Sequence, residues 1–179
     1  MVGVITGCTS EISLDEYRQW LFSEESGLSA KAIRGDRTYT LTILPESWRK
    51  TKSVNPDPRL TAVLKVSTKD ETLPDASFDG VTSYDAYSGR MANLAFHVPQ
   101  LMRLHVGDQQ YRAVGGQLSH AQGLARDISV YVVFEVVESQ LGSRKDISIE
   151  YQDDVFGDGM MRFDVTTNKI QRYIPDAHL

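Results

Sequence analysis

The 179-residue sequence contains a single cysteine, Cys8, so no disulfide can form within the chain and the fold must rest on its apolar core. No apolar run approaches the ~20 residues that a membrane-spanning helix needs. Positive charge is also in short supply. Against 24 acidic residues stand 19 basic ones, a net charge of −5, and no long Lys/Arg run breaks that sign. Such a surface repels phosphate backbones, so nucleic acid is not an expected partner. The four histidines, His97, His105, His120 and His178, match no H-x-H, H-x-x-H or HExxH spacing, and no zinc site is indicated. Gly-x-Ser-x-Gly is missing, and the Gly115-Gly116 pair lacks the Lys-Ser/Thr of a phosphate-binding loop. Neither a metal nor a cofactor is expected.

What remains is globular in composition, with 41% apolar and 24% charged residues at a length that suits one domain. In "ISLDEYRQWLFSEESGL" Ser13 is placed to cap a helix, with Glu16 returning the bond as in a capping box. Ile12 and Tyr17 are spaced as a hydrophobic staple. Leu14, Tyr17, Trp20 and Leu21 give that helix an apolar stripe, and Gly27 stops it.

Beyond Gly27 the period falls to two. "AKAIRGDRTYTLTILP" predicts two strands around a Gly35-Asp36 turn, and "LTAVLKVST" a third strand. "MANLAFHV" reads as another, and "MRLHVGDQQYRAV" as a hairpin turning at Gly107-Asp108. "ISVYVVFEVV" is almost continuously apolar and predicts a central strand buried on both faces. "KDISIEY" and "MMRFDVTT" complete the set, while "SWRKTKSVNPDPR", "KDETLPDASFDG" and "GGQLSHAQGLARD" read as loops. The expected fold is mainly β: an antiparallel, immunoglobulin-like sandwich of about eight strands with one N-terminal helix. Residues 13–179 form its single domain, and residues 1–12 a truncated signal-like segment and tether.

Three groups of residues carry candidate chemistry. Asp153, Asp154 and Asp158 crowd one Gly-bearing segment, "DDVFGDG". They offer the oxygens that calcium takes, yet in a spacing that does not fit an EF-hand and equally suits a strand connection. Together with His97 and His105 they motivate the alternative of a soluble hydrolase whose carboxylate or metal site assembles across loops. Phe78, Tyr84 and Tyr87 lie in a polar stretch, either as a contact surface for a protein or glycan or as rings that lid the domain. Cys8 follows Ile5, Thr6 and Gly7, the aliphatic-small-small-Cys order of a lipid-attachment box, and read alone it is equally an ordinary small thiol.

The segment "ISLDEYRQWLFSEESGLSAKAIRGDRTYTLTILPESW", with Cys8 ahead of it, resembles the start of small uncharacterised lipoproteins of Bacteroidota. There a cysteine precedes a helix ending in Glu-x-Gly-Leu, here Glu25, Gly27 and Leu28. A Gly-turn hairpin and a Leu-Pro stop follow, here Gly35, Leu44 and Pro45. The C-terminal "DISIEYQDDVFGDGMMRFDVTTNKIQRYIP" is similar to theirs as well. The resemblance implies a lipid on Cys8 and a place in the cell envelope, as an outer-membrane lipoprotein held to the bilayer by its acyl chains. It implies no known activity. From Cys8 to Ser13 the chain reaches at most ~17–18 Å, which would keep the domain near the lipid surface. The expected role is that of a binding module or accessory subunit, not an enzyme.

Overall fold

The structure, a computed structural model, describes residues 13–50, 59–120, 125–137, 141 and 146–166. Helix α1 (Leu14–Leu21) begins where the sequence places it. Ser13 Oγ accepts the Glu16 N–H at 3.2 Å, and Glu16 Oε2 accepts the Ser13 N–H at 2.8 Å. Tyr17 and Leu21 are fully buried, with Trp20 packed beside them, whereas Leu14 is 44% exposed and takes no part in the stripe. The helix also ends sooner than Gly27 implies. A short 3-10 turn (Glu24–Ser26) intervenes, and Gly27 closes that turn at φ +71°.

Eight strands follow: β1 (Ser29–Arg34), β2 (Arg37–Leu44), β3 (Arg59–Thr68), β4 (Met102–Val106), β5 (Gln109–His120), β6 (Asp127–Val137), β7 (Asp146–Asp153) and β8 (Gly159–Thr166). All neighbours run antiparallel, in the order β1-β2-β3-β6-β5-β4-β7-β8. Two hairpins turn at Gly35-Asp36 and Gly107-Asp108, as their turn chemistry predicts. The order makes one continuous sheet rather than the two facing sheets of an immunoglobulin-like sandwich. It curls until its end strands meet, where the Thr166 N–H donates to the Gly27 carbonyl at 2.7 Å. The result is a nearly closed, barrel-like sheet, which protects the edges that an open sheet would expose.

Strand β5 makes this possible. Its first residues, to Arg112, pair with β4, and from Ala113 onward it pairs with β6. A bulge at Val114 lies at the switch. Tyr111 and Ala113 pack on the core before the bulge, Leu118 after it, so the inward positions change from odd to even numbers. That break in parity is why "GGQLSH" reads as a loop although it continues the strand. Strand β6 is central in the order but buried on one face only, since Tyr131 and Glu135 are exposed between inward Val130, Val132, Phe134 and Val136.

Two further helices replace expected coil or strand. Helix α2 (Glu46–Lys50) opens the first loop and brings Trp48 against Tyr17, Leu21, Leu44 and Val63, so a small apolar cluster pins α1 to the outer face of β2 and β3. Helix α3 (Tyr84–Phe96) takes up the stretch that begins "MANLAF", where a strand was expected. Ser83 Oγ caps it by accepting the Ala86 N–H at 3.2 Å. Tyr87, Met91 and Leu94 lie on its less exposed side at helical spacing, a period that short-range alternation masks. A 3-10 turn (Val98–Leu101) follows, and its Pro99 sits against Gly116. This connection from β3 to β4 adds Ala76, Leu94 and Val98 to the main core.

Candidate functional site

Asp153, at the end of β7, is 1% exposed. A buried carboxylate persists only where donors replace its water, and here five do. Oδ1 accepts the Tyr151 hydroxyl at 2.9 Å and the N–H groups of Val155 and Phe156 at 3.1 and 3.2 Å. Oδ2 accepts the Asp158 N–H at 3.2 Å and lies 2.9 Å from the Tyr39 hydroxyl. That same hydroxyl is 2.6 Å from Asp158 Oδ2, so its single proton bridges two carboxylates. Burial, together with the two carboxylates, pushes the Tyr39 phenol well above its ordinary range, and burial beside Asp153 does the same to Tyr151.

Asp158 is clasped side-on by Arg37 from the start of β2, with Nε to Oδ2 at 2.7 Å and the second guanidinium nitrogen to Oδ1 at 2.9 Å. Arg37 also pairs with Asp79 in the β3–α3 connection. Arg90 of α3 donates to the backbone carbonyls of Ser77 and Asp79. Both guanidinium carbons stand close to the Phe156 ring, at 5.4 Å for Arg37 and 5.1 Å for Arg90. The cluster therefore ties the 69–83 connection, the β7–β8 turn and α3 to the first turn of β2. Its hydrogen bonds are all internal. Among the described residues no buried side-chain nitrogen or oxygen lacks a partner.

The Arg37 hydrogen bonds hold the Asp158 carboxyl below its usual range; burial opposes this and the Tyr39 hydroxyl adds to it. A carboxyl depressed in the folded state stabilises fully above its unfolded value of about 3.9, and the contribution fades as pH falls through the folded value. The stability gap between wild type and Asp158→Asn is therefore expected to be flat above about pH 5 and to narrow below about pH 4. Urea denaturation of both proteins across that range measures it.

The other candidates scatter. Asp154 is exposed and, among the described residues, accepts only from Gln152 Nε2, at 3.0 Å, apart from Asp153 and Asp158, which share the Tyr39 hydroxyl. Among the described residues no three His, Cys, Asp or Glu side chains are placed to hold a metal. His97 is the exposed C-cap of α3, while His105 lies on β4 with Nε2 3.0 Å from Glu150 Oε2, so the two imidazoles serve different elements. Phe78 and Tyr87, both half-buried, stack on each other at 4.8 Å, whereas Tyr84 is 80% exposed. Phe96, at the far end of α3, is 70% exposed and was not foreseen. Cys8, His178 and the Ile12 half of the staple lie outside the described residues.

On the opposite, outward-facing side of the sheet, α1 overhangs a concavity of about 720 Å³. Arg18, Gln19 and Phe22 form its wall, and Thr40, Lys65, Ser129 and Tyr131 are part of its floor. No protein-family model matches the chain, and neither does any curated protein or solved structure compared with it.

Proposed function

We propose that this protein is a lipid-anchored component of the cell envelope, attached through Cys8, that works by contact with a protein or glycan as a binding module or accessory subunit. The observation that carries this reading is the Ile5-Thr6-Gly7-Cys8 quartet standing five residues ahead of the Ser13 cap. A thiol at that distance puts a lipid beside the first helix, and each buried CH₂ of an acyl chain adds about 0.8 kcal/mol of membrane affinity. Two features of the folded body support contact over catalysis. The carboxylates with the most unusual surroundings, Asp153 and Asp158, spend their lone pairs on structural donors. The concave surface under α1 is open and mixes apolar with charged and hydroxyl side chains, the form of a docking groove.

Intact-mass measurement of the full gene product expressed in a bacterial host tests the anchor. The expected species begins at Cys8, carries acyl chains and partitions into membranes, and Cys8→Ala abolishes both properties. An unmodified chain retaining Met1 in the soluble fraction would overturn the reading.

A further inference from the structure

We infer that the free edge of β5 is a self-association surface, where a second copy of this chain adds its own β5 antiparallel across a two-fold axis. Closing β1 on β8 protects the two ends of the sheet but leaves the corner at β5 open. Gln109–Arg112 pair with β4, and from Ala113 onward the strand pairs with β6 alone. Among the described residues, no backbone hydrogen bond joins the other side of 113–119 to any segment. Val114, Gly115, Gly116 and Gln117 are exposed one after another, whereas β6 beside them buries every second residue. The devices that blunt a natural edge are scarce here. The bulge at Val114 marks only its start, and residues 113–119 include no Pro and no charged side chain.

Charge selects the occupant. Residues 91–102 and 113–125 are the two longest stretches of the chain without Asp, Glu, Lys or Arg. The fold brings them together: α3 and the 98–101 turn pack on β5, with Pro99 against Gly116. Phe96, three residues before Pro99, and Val114, two before Gly116, are both exposed, so the edge lies in a neutral and partly apolar surface. A chain of net charge −5 repels its own copy, and two copies approach most readily where neither carries charge. A cationic partner would gain nothing from such a patch. A second copy brings an identical edge, with the same unpaired N–H and C=O groups and the same apolar flank. The register follows from the pleat. The regular stretch beyond the bulge, 115–119, is centred on Gln117, which is exposed and lies beside Tyr131 of β6. Antiparallel pairing about that centre sets Gln117 against the partner's Gln117, and Gly115 against the partner's Ser119. No like charges then face each other, and the sheet continues from β6 through both β5 strands.

Sedimentation velocity of the full chain without lipid tests the inference, with Cys8→Ser present throughout so that no intermolecular disulfide contributes. A monomer–dimer equilibrium is expected, with a dissociation constant of about 1–100 μM. Gln117→Lys and Gln117→Glu each place like charges across the axis and should raise that constant about tenfold. An equimolar mixture of the two should restore the dimer, because Lys then faces Glu. Phe96→Ser should weaken it as well, while Met160→Ala, also exposed but on β8, should leave it unchanged. Unchanged thermal midpoints exclude loss of the fold as the cause. A chain that stays monomeric at about 200 μM overturns the inference and leaves the edge to a strand from another protein. A dimer indifferent to both charges, or a mixture no tighter than either variant alone, overturns it too, since the contact then lies elsewhere. The lipid takes no part in the measurement, so its outcome is independent of the envelope reading.

Discussion

Asp153→Ala is expected to lower stability by about 4 kcal/mol, because the carboxylate it removes is the acceptor for five donors. Hydrogen bonds to a charged acceptor contribute about 1.5–3 kcal/mol each, and they do not add, since some donors find water once the turn loosens. The side chain is 1% exposed, so the methyl group leaves a small cavity faced by the Tyr39 and Tyr151 hydroxyls and three backbone N–H groups. For a chain of this size the loss corresponds to roughly 10 °C in thermal midpoint. Asp154→Ala, one residue on, is the control. Its carboxylate is exposed and, among the described residues, accepts only from Gln152, so its cost should stay within about 0.5 kcal/mol. Chemical denaturation of the two variants side by side measures the contrast, and equal losses would refute the account of Asp153 as the keystone of the β7–β8 turn.

Gly116→Ala is the second large effect, expected at about 2–3 kcal/mol. A Cβ there would lie 2.5 Å from Pro99 Cγ and 2.7 Å from the Tyr131 carbonyl oxygen. One obstacle is a rigid ring and the other is backbone in the paired strand, so neither yields without shifting the β5–β6 ladder or lifting the 98–101 turn off the core. The backbone angle is not the cause, because Gly116 is not among the positive-φ glycines. Its neighbour Gly115 supplies the comparison. A Cβ at Gly115 meets nothing within 4 Å, and Gly115→Ala should be neutral or slightly stabilising through the unfolded chain. Thermal unfolding of both alanine variants separates a requirement for space from a general need for flexibility at the bulge.

The strands that sequence reasoning placed well are those whose pattern is local and unbroken. Tyr39, Leu41 and Ile43 alternate cleanly along β2, and the Gly35-Asp36 turn carries its own chemistry. The stretches it misread are those where a local rule conflicts with tertiary packing. In "MANLAFHV" the inward residues Met91, Leu94 and Val98 recur at helical spacing, a series that Tyr87 ahead of the stretch extends, while the run of small and apolar residues reads locally as a strand. In β5 the bulge at Val114 reverses the parity, and the two glycines beside it look like coil. The Asp153–Asp158 segment was visible as a turn, but its partners were not. Arg37 and Tyr39 are separated from Asp158 by 121 and 119 residues, and no local pattern marks either of them.

By itself the sequence determined which side chains of β2 face the core, where α1 begins, and how two hairpins turn, because alternation, capping and turn chemistry act between residues a few positions apart. It also determined the absence of internal covalent staples, with one cysteine in the chain. Only the tertiary structure decided the strand order, the near-closure of β1 on β8, and the concave surface beneath α1. Those depend on which strands lie side by side, and a strand's alternating face is equally satisfied by several neighbours until the whole apolar interior is enclosed.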